Sequence, residues 1–323
     1  MTLSACSKLR ESHLATKPIA CSLDELRGLD LGSTAVWGTP SRVDTVLKHL
    51  DGVCIDMLEE ARNSFDTLIV VGGGTRIDAA KMWRAERRPD LRLVAIPSVW
   101  GSGAEASNIV VQNAKDKKEI RIGDQYLPDI RCVVLDLLDS LPEESARFAC
   151  GDAWSHALEG FLSPLADDSL RRELSDLMRA MSELPLGKHP DWFELSARAC
   201  QGQAKSSVGL VHGIAHTLER PLQIGQPGYG WGHARLCALF LYPVARFNRQ
   251  ASDVFETLLA EYELDPDLLM NKMHDLFSIR DYDLVLKPLE KHWAQVMRDP
   301  CTRTNSALVR PQSLAFFIDR ALP

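Results

Sequence analysis

The order of apolar and polar positions changes character once along this chain. Up to about residue 137, short apolar runs alternate with amphipathic stretches. DTLIVVGGG (66–74) and LRLVAIPS (91–98) are apolar, β-branched runs of strand length, as expected for strands covered on both faces. TRIDAAKMWRAE (75–86), between them, has helical periodicity. STAVWG (33–38) and CVVLDL (132–137) read as further strands, and VDTVLKHL (43–50) and DMLEEARNS (56–64) as helices. NIVVQN (108–113) and KEIRIGD (118–124), joined by a charged turn, predict a hairpin. Residues 1–30 show no clear pattern. From Pro142 onward helical periods dominate, in segments 145–163, 170–184, 191–219 and 233–248, and no convincing strand follows. The alternation predicts an α/β domain with a parallel sheet over residues 1–140, followed by an all-α domain over 141–323.

Composition narrows the function. With 323 residues and 45% hydrophobic content, two ordinary cores can form. The net charge of −7 argues against a nucleic-acid-binding surface. No apolar run approaches the roughly 20 residues a membrane span needs, and the N-terminus lacks the apolar core of a secretory signal. Eight cysteines without a CxxC pair suit buried thiols in a reducing cytoplasm, and they argue against a thiolate zinc cluster.

The chemistry concentrates in the helical half. Asp152 and His156 are four apart in CGDAWSHALEG and share one helix face. His212 and His233 follow, with His216 one turn beyond His212. One carboxylate and three imidazoles suit a divalent metal, and Fe²⁺, Zn²⁺, Ni²⁺ or Mn²⁺ would each fit. A packed core histidine or a helix-stabilising Asp–His pair is the plainer reading of any one of them. Clustering of four of the nine histidines at 156, 212, 216 and 233 favours the metal.

In VVGGGTRIDAAK (70–81) a strand runs through Gly72, Gly73 and Gly74 into a helix N-terminus. Bare glycine amides and the helix dipole together form a cradle for a pyrophosphate, although the motif is neither GxGxxG nor a P-loop. A tight turn with no ligand fits the glycines equally well. Asp78 and Lys81 either face a nucleotide or are solvent-facing charges. In IPSVWGSGAEAS (96–107), Ser98, Ser102 and Ser107 either bond a nucleotide or line a solvated connection. Lys118 either reaches a phosphate or caps the hairpin. Arg220, Arg235 and Lys205 either receive an anionic substrate or are solvated, the latter being commoner.

Taken in order, these blocks resemble the iron-containing, group III alcohol dehydrogenases, relatives of glycerol dehydrogenase and dehydroquinate synthase. VVGGGTRIDAAK resembles the family's GGGSxxDxAK loop, and IPSVWGSGAEAS its PTTxGTGSExT loop. LPDIRCVVLDLLDSLPEESARFACGDAWSHALEGFLS resembles the block ending DAxxHxxE. GLVHGIAHTLE with WGHARLCALFLYPVARFN resembles HxxxH…HGxxNAxxLP, and DPCTRTNSALVRPQSLAFFIDRAL more weakly the C-terminal helix. The resemblance implies a dehydroquinate synthase-like fold, with a dinucleotide-binding α/β domain, a helical metal domain and an active site in the cleft. It assigns Asp152, His156, His212 and His233 to the metal, Fe²⁺ ahead of Zn²⁺. It places His216 beside the nicotinamide as the catalytic proton relay. It puts the pyrophosphate of NAD or NADP on Gly72, Gly73 and Gly74, with Asp78, Ser98, Ser107 and Lys118 as neighbours. It also implies a homo-oligomer.

The implied activity is a metal-dependent, NAD(P)-linked alcohol dehydrogenase or aldehyde reductase acting on a small alcohol or aldehyde. A sugar-phosphate cyclase or lyase and a non-catalytic metal-binding protein are the alternatives. The chain departs from the pattern at Val99, Trp100, Ala104 and Ala234, and in a longer stretch between His216 and His233. The segment before DTLIVVGGG reads as one strand–helix unit short.

Overall fold

The computed structural model describes residues 18–62, 64–114 and 117–319, and excludes the side chains of residues 62, 113, 114, 117 and 118. The chain divides into two compact units. One holds the described residues up to Val99 and Gly103–Leu141, the other Trp100–Ser102 and the described residues from Pro142 onward.

The first unit is built on six parallel strands: β1 (Ile19–Cys21), β2 (Thr34–Gly38), β3 (Val53–Ile55), β4 (Thr67–Gly72), β5 (Arg92–Pro97) and, after a hairpin, β8 (Ile130–Cys132). Their order is β1-β8-β5-β4-β2-β3. The hairpin pairs β6 (Ile109–Ala114) and β7 (Lys117–Ile122) antiparallel, as its sequence predicts. Successive residues of β4 face opposite cores. Ile69 and Val71 pack with Val94, Ile96 and, from α2 (Pro40–Leu47), Val43 and Val46. Leu68 and Val70 pack with Leu93, Ala95 and, from α3 (Gly74–Arg87), Ile77 and Ala80. Helices on both faces are why β4 and β5 read as unbroken apolar runs. Each fully buried aliphatic side chain there contributes about 1.5–3 kcal/mol.

The register sets Gly72 opposite Pro97. The glycine turn and Ser98 therefore leave the sheet together at the carboxyl ends of the strands, the edge where α/β folds take ligands.

Several short elements differ from expectation. The segment before β4, read as one unit short, supplies three strands, of which β1 and β3 have three residues each. Short edge strands with exposed Ile19 and Val53 carry too little pattern to read. β1 leads into α1 (Leu23–Arg27), which Ser22 and Glu25 start with a reciprocal capping box. DMLEEARNS forms only a 3₁₀ turn over Leu58–Arg62. CVVLDL is strand only at its first residue. β8 loses its partner where β1 stops at Cys21, and a 3₁₀ turn over Leu135–Leu138 follows.

The second unit is helical, and its described residues contain no strand. α4 (Glu143–Leu162), α5 (Asp168–Glu183), α6 (Asp191–Ser206), α7 (Leu210–Gly225) and α8 (His233–Ala251) form its body. α9 (Val254–Glu261), α10 (Pro266–Leu276), α11 (Ile279–Val296) and α12 (Leu314–Asp319) complete it. α4 is buried all round from Ala149 to Leu162 and packs against α5, α6 and α8. A Cβ on Gly151 would stand 2.5 Å from Ala238 Cα, so this glycine lets α4 and α8 approach closely beside Asp152. The stretch 191–219 predicts one helix and forms two. Ser207, at φ +69°, breaks it, and Thr304 Oγ1 donates to the Val208 carbonyl at 2.6 Å to hold the break.

Candidate metal centre and nucleotide loop

Asp152 and His156 lie one turn apart on α4, His212 in the first turn of α7, and His233 opens α8. The three Nε2 atoms of His212, His233 and His156 stand 3.7, 3.8 and 4.0 Å from one atom, Asp152 Oδ1. Asp152, His156 and His212 are buried, and His233 is about a quarter exposed. Asp152 Oδ1 and His212 Nε2 are fully buried and have no hydrogen-bond partner. An orphaned carboxylate oxygen is costly in a protein interior. Donors on one tetrahedral ion with bonds of about 2.0–2.1 Å are themselves about 3.4 Å apart, close to the spacing here. The residues therefore fit a divalent cation.

Hydrogen bonds behind the imidazoles set their orientation. His156 Nδ1–H donates to the Gly101 carbonyl at 3.1 Å, and His212 Nδ1–H to Glu159 Oε2 at 2.7 Å. Both acceptors fix the proton on Nδ1 and leave the Nε2 lone pair toward Asp152. Glu159 also accepts the Val211 N–H at 2.6 Å, near the start of α7. Glu159 could have been found from sequence, since Asp152, His156 and Glu159 share one helix face at i, i+4 and i+7. Burial pushes the His156 imidazole down to about 4, only partly offset by Asp152.

Trp100–Ser102, read as part of a nucleotide-contacting or solvated loop, belongs to the helical unit. Gly101 has φ +107°, and a Cβ there would meet Asp152 Oδ2 at 3.1 Å and Ala149 O at 3.2 Å. Its N–H donates to Ser196 Oγ at 2.7 Å.

His216 lies against Asp299, Cys301 and His233. Its Nδ1 is 3.5 Å from Asp299 Oδ2 and 3.9 Å from Cys301 Sγ, while its ring stacks on His233. Burial raises the Asp299 carboxyl, but bonds from His216 and Cys301 more than offset it, so the net shift is downward. The cysteines held a further surprise. Cys237, one turn after His233, is fully buried, with Sγ 3.6 Å from His233 Nε2. Donor atoms of Asp152, His212, His233 and Cys237 all lie within 4.8 Å of one another.

In the first unit Gly72 ends β4, Gly73 caps α3 without a side-chain bond, and Gly74 begins it. Ser98 N–H donates to the Gly72 carbonyl at 2.9 Å, which joins the two loops. Ser107 is buried just after the 3₁₀ turn Ala104–Ala106. Asp78 and Lys81 are not solvent-facing. Lys81 is fully buried and donates to Asp78 Oδ1 and to the carbonyls of Ala104 and Ile109. Asp78 Oδ2 accepts the Val111 N–H at 2.9 Å. The pair thus pins α3 to the hairpin. Lys118's side chain lies outside the described residues. Arg235 bonds Asp281 Oδ2 through Nε and Nη2, at 2.8 and 2.6 Å, and Lys205 is ion-paired with Glu173. Neither is an unpaired cation.

Residues 49–136 match the family model described as iron-containing alcohol dehydrogenase. The chain is 22% identical over 328 residues to the probable alcohol dehydrogenase EutG of Salmonella typhimurium, covering 90% of this chain and 79% of that protein. It is 24% identical over 245 residues to the bifunctional aldehyde-alcohol dehydrogenase AdhE of Escherichia coli, covering 63% of this chain but only 27% of that one. The crystal structure of an iron-containing alcohol dehydrogenase from Corynebacterium glutamicum superposes with a TM-score of 0.74 at 20% identity, over 95% of this chain and 96% of that one. The structural likeness establishes the two-part architecture, and the sequence matches carry the kinship. The chain is similar to the iron-containing alcohol dehydrogenases, in sequence most clearly over residues 49–136 and in fold over most of its length.

Proposed function

We propose that this chain is a metal-dependent, NAD(P)-linked alcohol dehydrogenase or aldehyde reductase acting on a small alcohol or aldehyde. The observation that carries the reading is the approach of three imidazole nitrogens to a buried, unpartnered oxygen of Asp152. Asp152, His156, His212 and His233 would hold the ion, Fe²⁺ by family and Zn²⁺ by the same donor chemistry. A divalent cation supplies Lewis acidity toward an alcohol or carbonyl oxygen.

The chain's own groups do the rest. Gly101 and Glu159 keep two imidazoles neutral and oriented. Backbone amides at the start of α3 and the dipole behind them take the pyrophosphate of either nicotinamide dinucleotide, with Ser98 beside them. His216, backed by Asp299, accepts or returns the hydroxyl proton. The names of EutG and AdhE, a probable alcohol dehydrogenase and a bifunctional aldehyde-alcohol dehydrogenase, agree with this chemistry.

No described helix is long and apolar enough to cross a membrane. The seven described cysteines are free thiols, which suits cytoplasmic residence. Self-association rests on the family likeness alone.

Elemental analysis of the purified chain, with NAD(P)H oxidation across a panel of short aldehydes, tests the reading. Bound metal and aldehyde-dependent oxidation are expected, and His212→Ala should lose both. A metal-loaded chain that binds no dinucleotide, or that releases phosphate from a sugar phosphate without net NAD turnover, overturns it.

A further inference from the structure

We propose that Cys237 is a ligand of the same ion, so that the site is a mixed carboxylate–imidazole–thiolate centre suited to Zn²⁺ or Co²⁺. This rests on the metal reading above. Three observations carry it. His233 and Cys237 lie at i and i+4 in the first turns of α8, so both side chains project from one face. The donor atoms of Asp152, His212, His233 and Cys237 fall within 4.8 Å of one another. Asp152 Oδ1 and His212 Nε2, both buried, have no partner within that group.

The separation of 3.6 Å between Cys237 Sγ and His233 Nε2 is the informative distance. With five donors on one ion, metal–nitrogen and metal–sulfur bonds of about 2.05 and 2.3 Å set N and S about 3.1–3.8 Å apart for bond angles between about 90° and 120°. A hydrogen bond from the thiol to Nε2 gives the same distance, but only while that nitrogen keeps its lone pair. On coordination the S–H bond breaks, the proton leaves to solvent, and a sulfur lone pair goes to the ion. Thiolate is a soft donor, which favours thiophilic ions over Mn²⁺.

The test is optical. The apo chain is loaded with Co²⁺ and its near-ultraviolet absorption recorded, with cobalt bound per chain measured separately. We expect an intense sulfur-to-cobalt charge-transfer band, lost in Cys237→Ser at equal cobalt content and kept in Cys301→Ser. Wild-type protein that binds cobalt yet shows no such band overturns the assignment and leaves the metal reading intact. A band that survives Cys237→Ser, or that follows Cys301 instead, also overturns it. Failure of the wild-type chain to bind cobalt overturns the assignment together with the metal reading beneath it. The wild-type spectrum decides the matter even if the serine variant does not fold.

Discussion

Glu159 receives the Nδ1–H of His212 at 2.7 Å, although the two residues are 53 positions apart and on different helices. The same carboxylate accepts the Val211 N–H near the start of α7, so one side chain sets both where that helix begins and how its histidine faces. Glu159→Gln keeps an acceptor for the backbone but removes the negative charge behind the imidazole. Outer partners of this kind are worth about 10–100-fold in metal affinity. Competition with a chelator should show a loss in that range, with the far-ultraviolet circular dichroism unchanged. Unaltered affinity would mean that the charge of Glu159 does not reach the ion.

Two glycines should respond in opposite ways to the same methyl group. At Gly101 the backbone is left-handed, and a Cβ would press on Asp152 Oδ2 and on the Ala149 carbonyl. Gly101→Ala should cost about 1–3 kcal/mol in stability and disturb His156, whose Nδ1 bonds this residue. At Gly73 a Cβ meets only Val99 Cγ1, at 3.4 Å, an ordinary contact. Gly73→Ala should therefore fold normally while weakening dinucleotide binding at least about tenfold, because the methyl occupies the space above the amides. Thermal melting and a fluorescence titration with NADH and NADPH separate the two effects.

The contrast between Gly101 and Gly73 shows what was legible beforehand. Long periodic segments fixed β4, α3 and the helical half, because burial on one or both faces imposes its period directly. The approach of Asp152 and His156 was readable because Asp and His at one-turn spacing share a face. The chain break at Ser207 was not, since a non-glycine residue at positive φ leaves no mark in composition. The role of Gly101 was not legible either, because its backbone bonds to Ser196 and His156 depend on tertiary contacts that no local pattern encodes. The burial of Lys81 was hidden for the same reason, two of its three acceptors being the carbonyls of Ala104 and Ile109, which the fold brings back onto α3. Cys237 was set aside with the other thiols because its distance to His233 only acquires meaning beside Asp152.

Arg235 anchors the GQPGYGWG segment that leads into α8. Its guanidinium lies over the rings of Tyr229, Trp231 and Phe148 at 4.5, 4.9 and 5.0 Å and bonds Asp281, whose other oxygen accepts from Tyr229 OH. Both charged side chains are about nine-tenths buried. Removing one partner of a buried pair costs about 3–5 kcal/mol. Arg235→Ala should lower the unfolding transition of the helical unit by that order. It should also reduce metal retention, since His233 begins the helix next to this anchor. Arg235→Lys keeps the charge but not the planar stacking, and should recover only part of the loss. Denaturant titration followed by tryptophan fluorescence measures the first effect and elemental analysis the second.

The metal-free protein should lose stability in mild acid, in a window set by His156. Its imidazole is held down to about 4 when folded, whereas an unfolded histidine titrates near 6.5. Between those values the unfolded chain carries the extra proton, so unfolding becomes more favourable as the pH falls. The loss begins below about 6.5, grows by up to about 1.4 kcal/mol per pH unit, and levels off near 4 at roughly 3 kcal/mol. His156→Gln removes the titration, so its stability should be flatter across the same range, whatever its value at neutral pH. Urea unfolding of the chelated wild type and variant at a series of pH values between 7 and 4 reads the difference directly. Parallel curves for the two proteins would show that His156 titrates normally and is not desolvated as the structure places it.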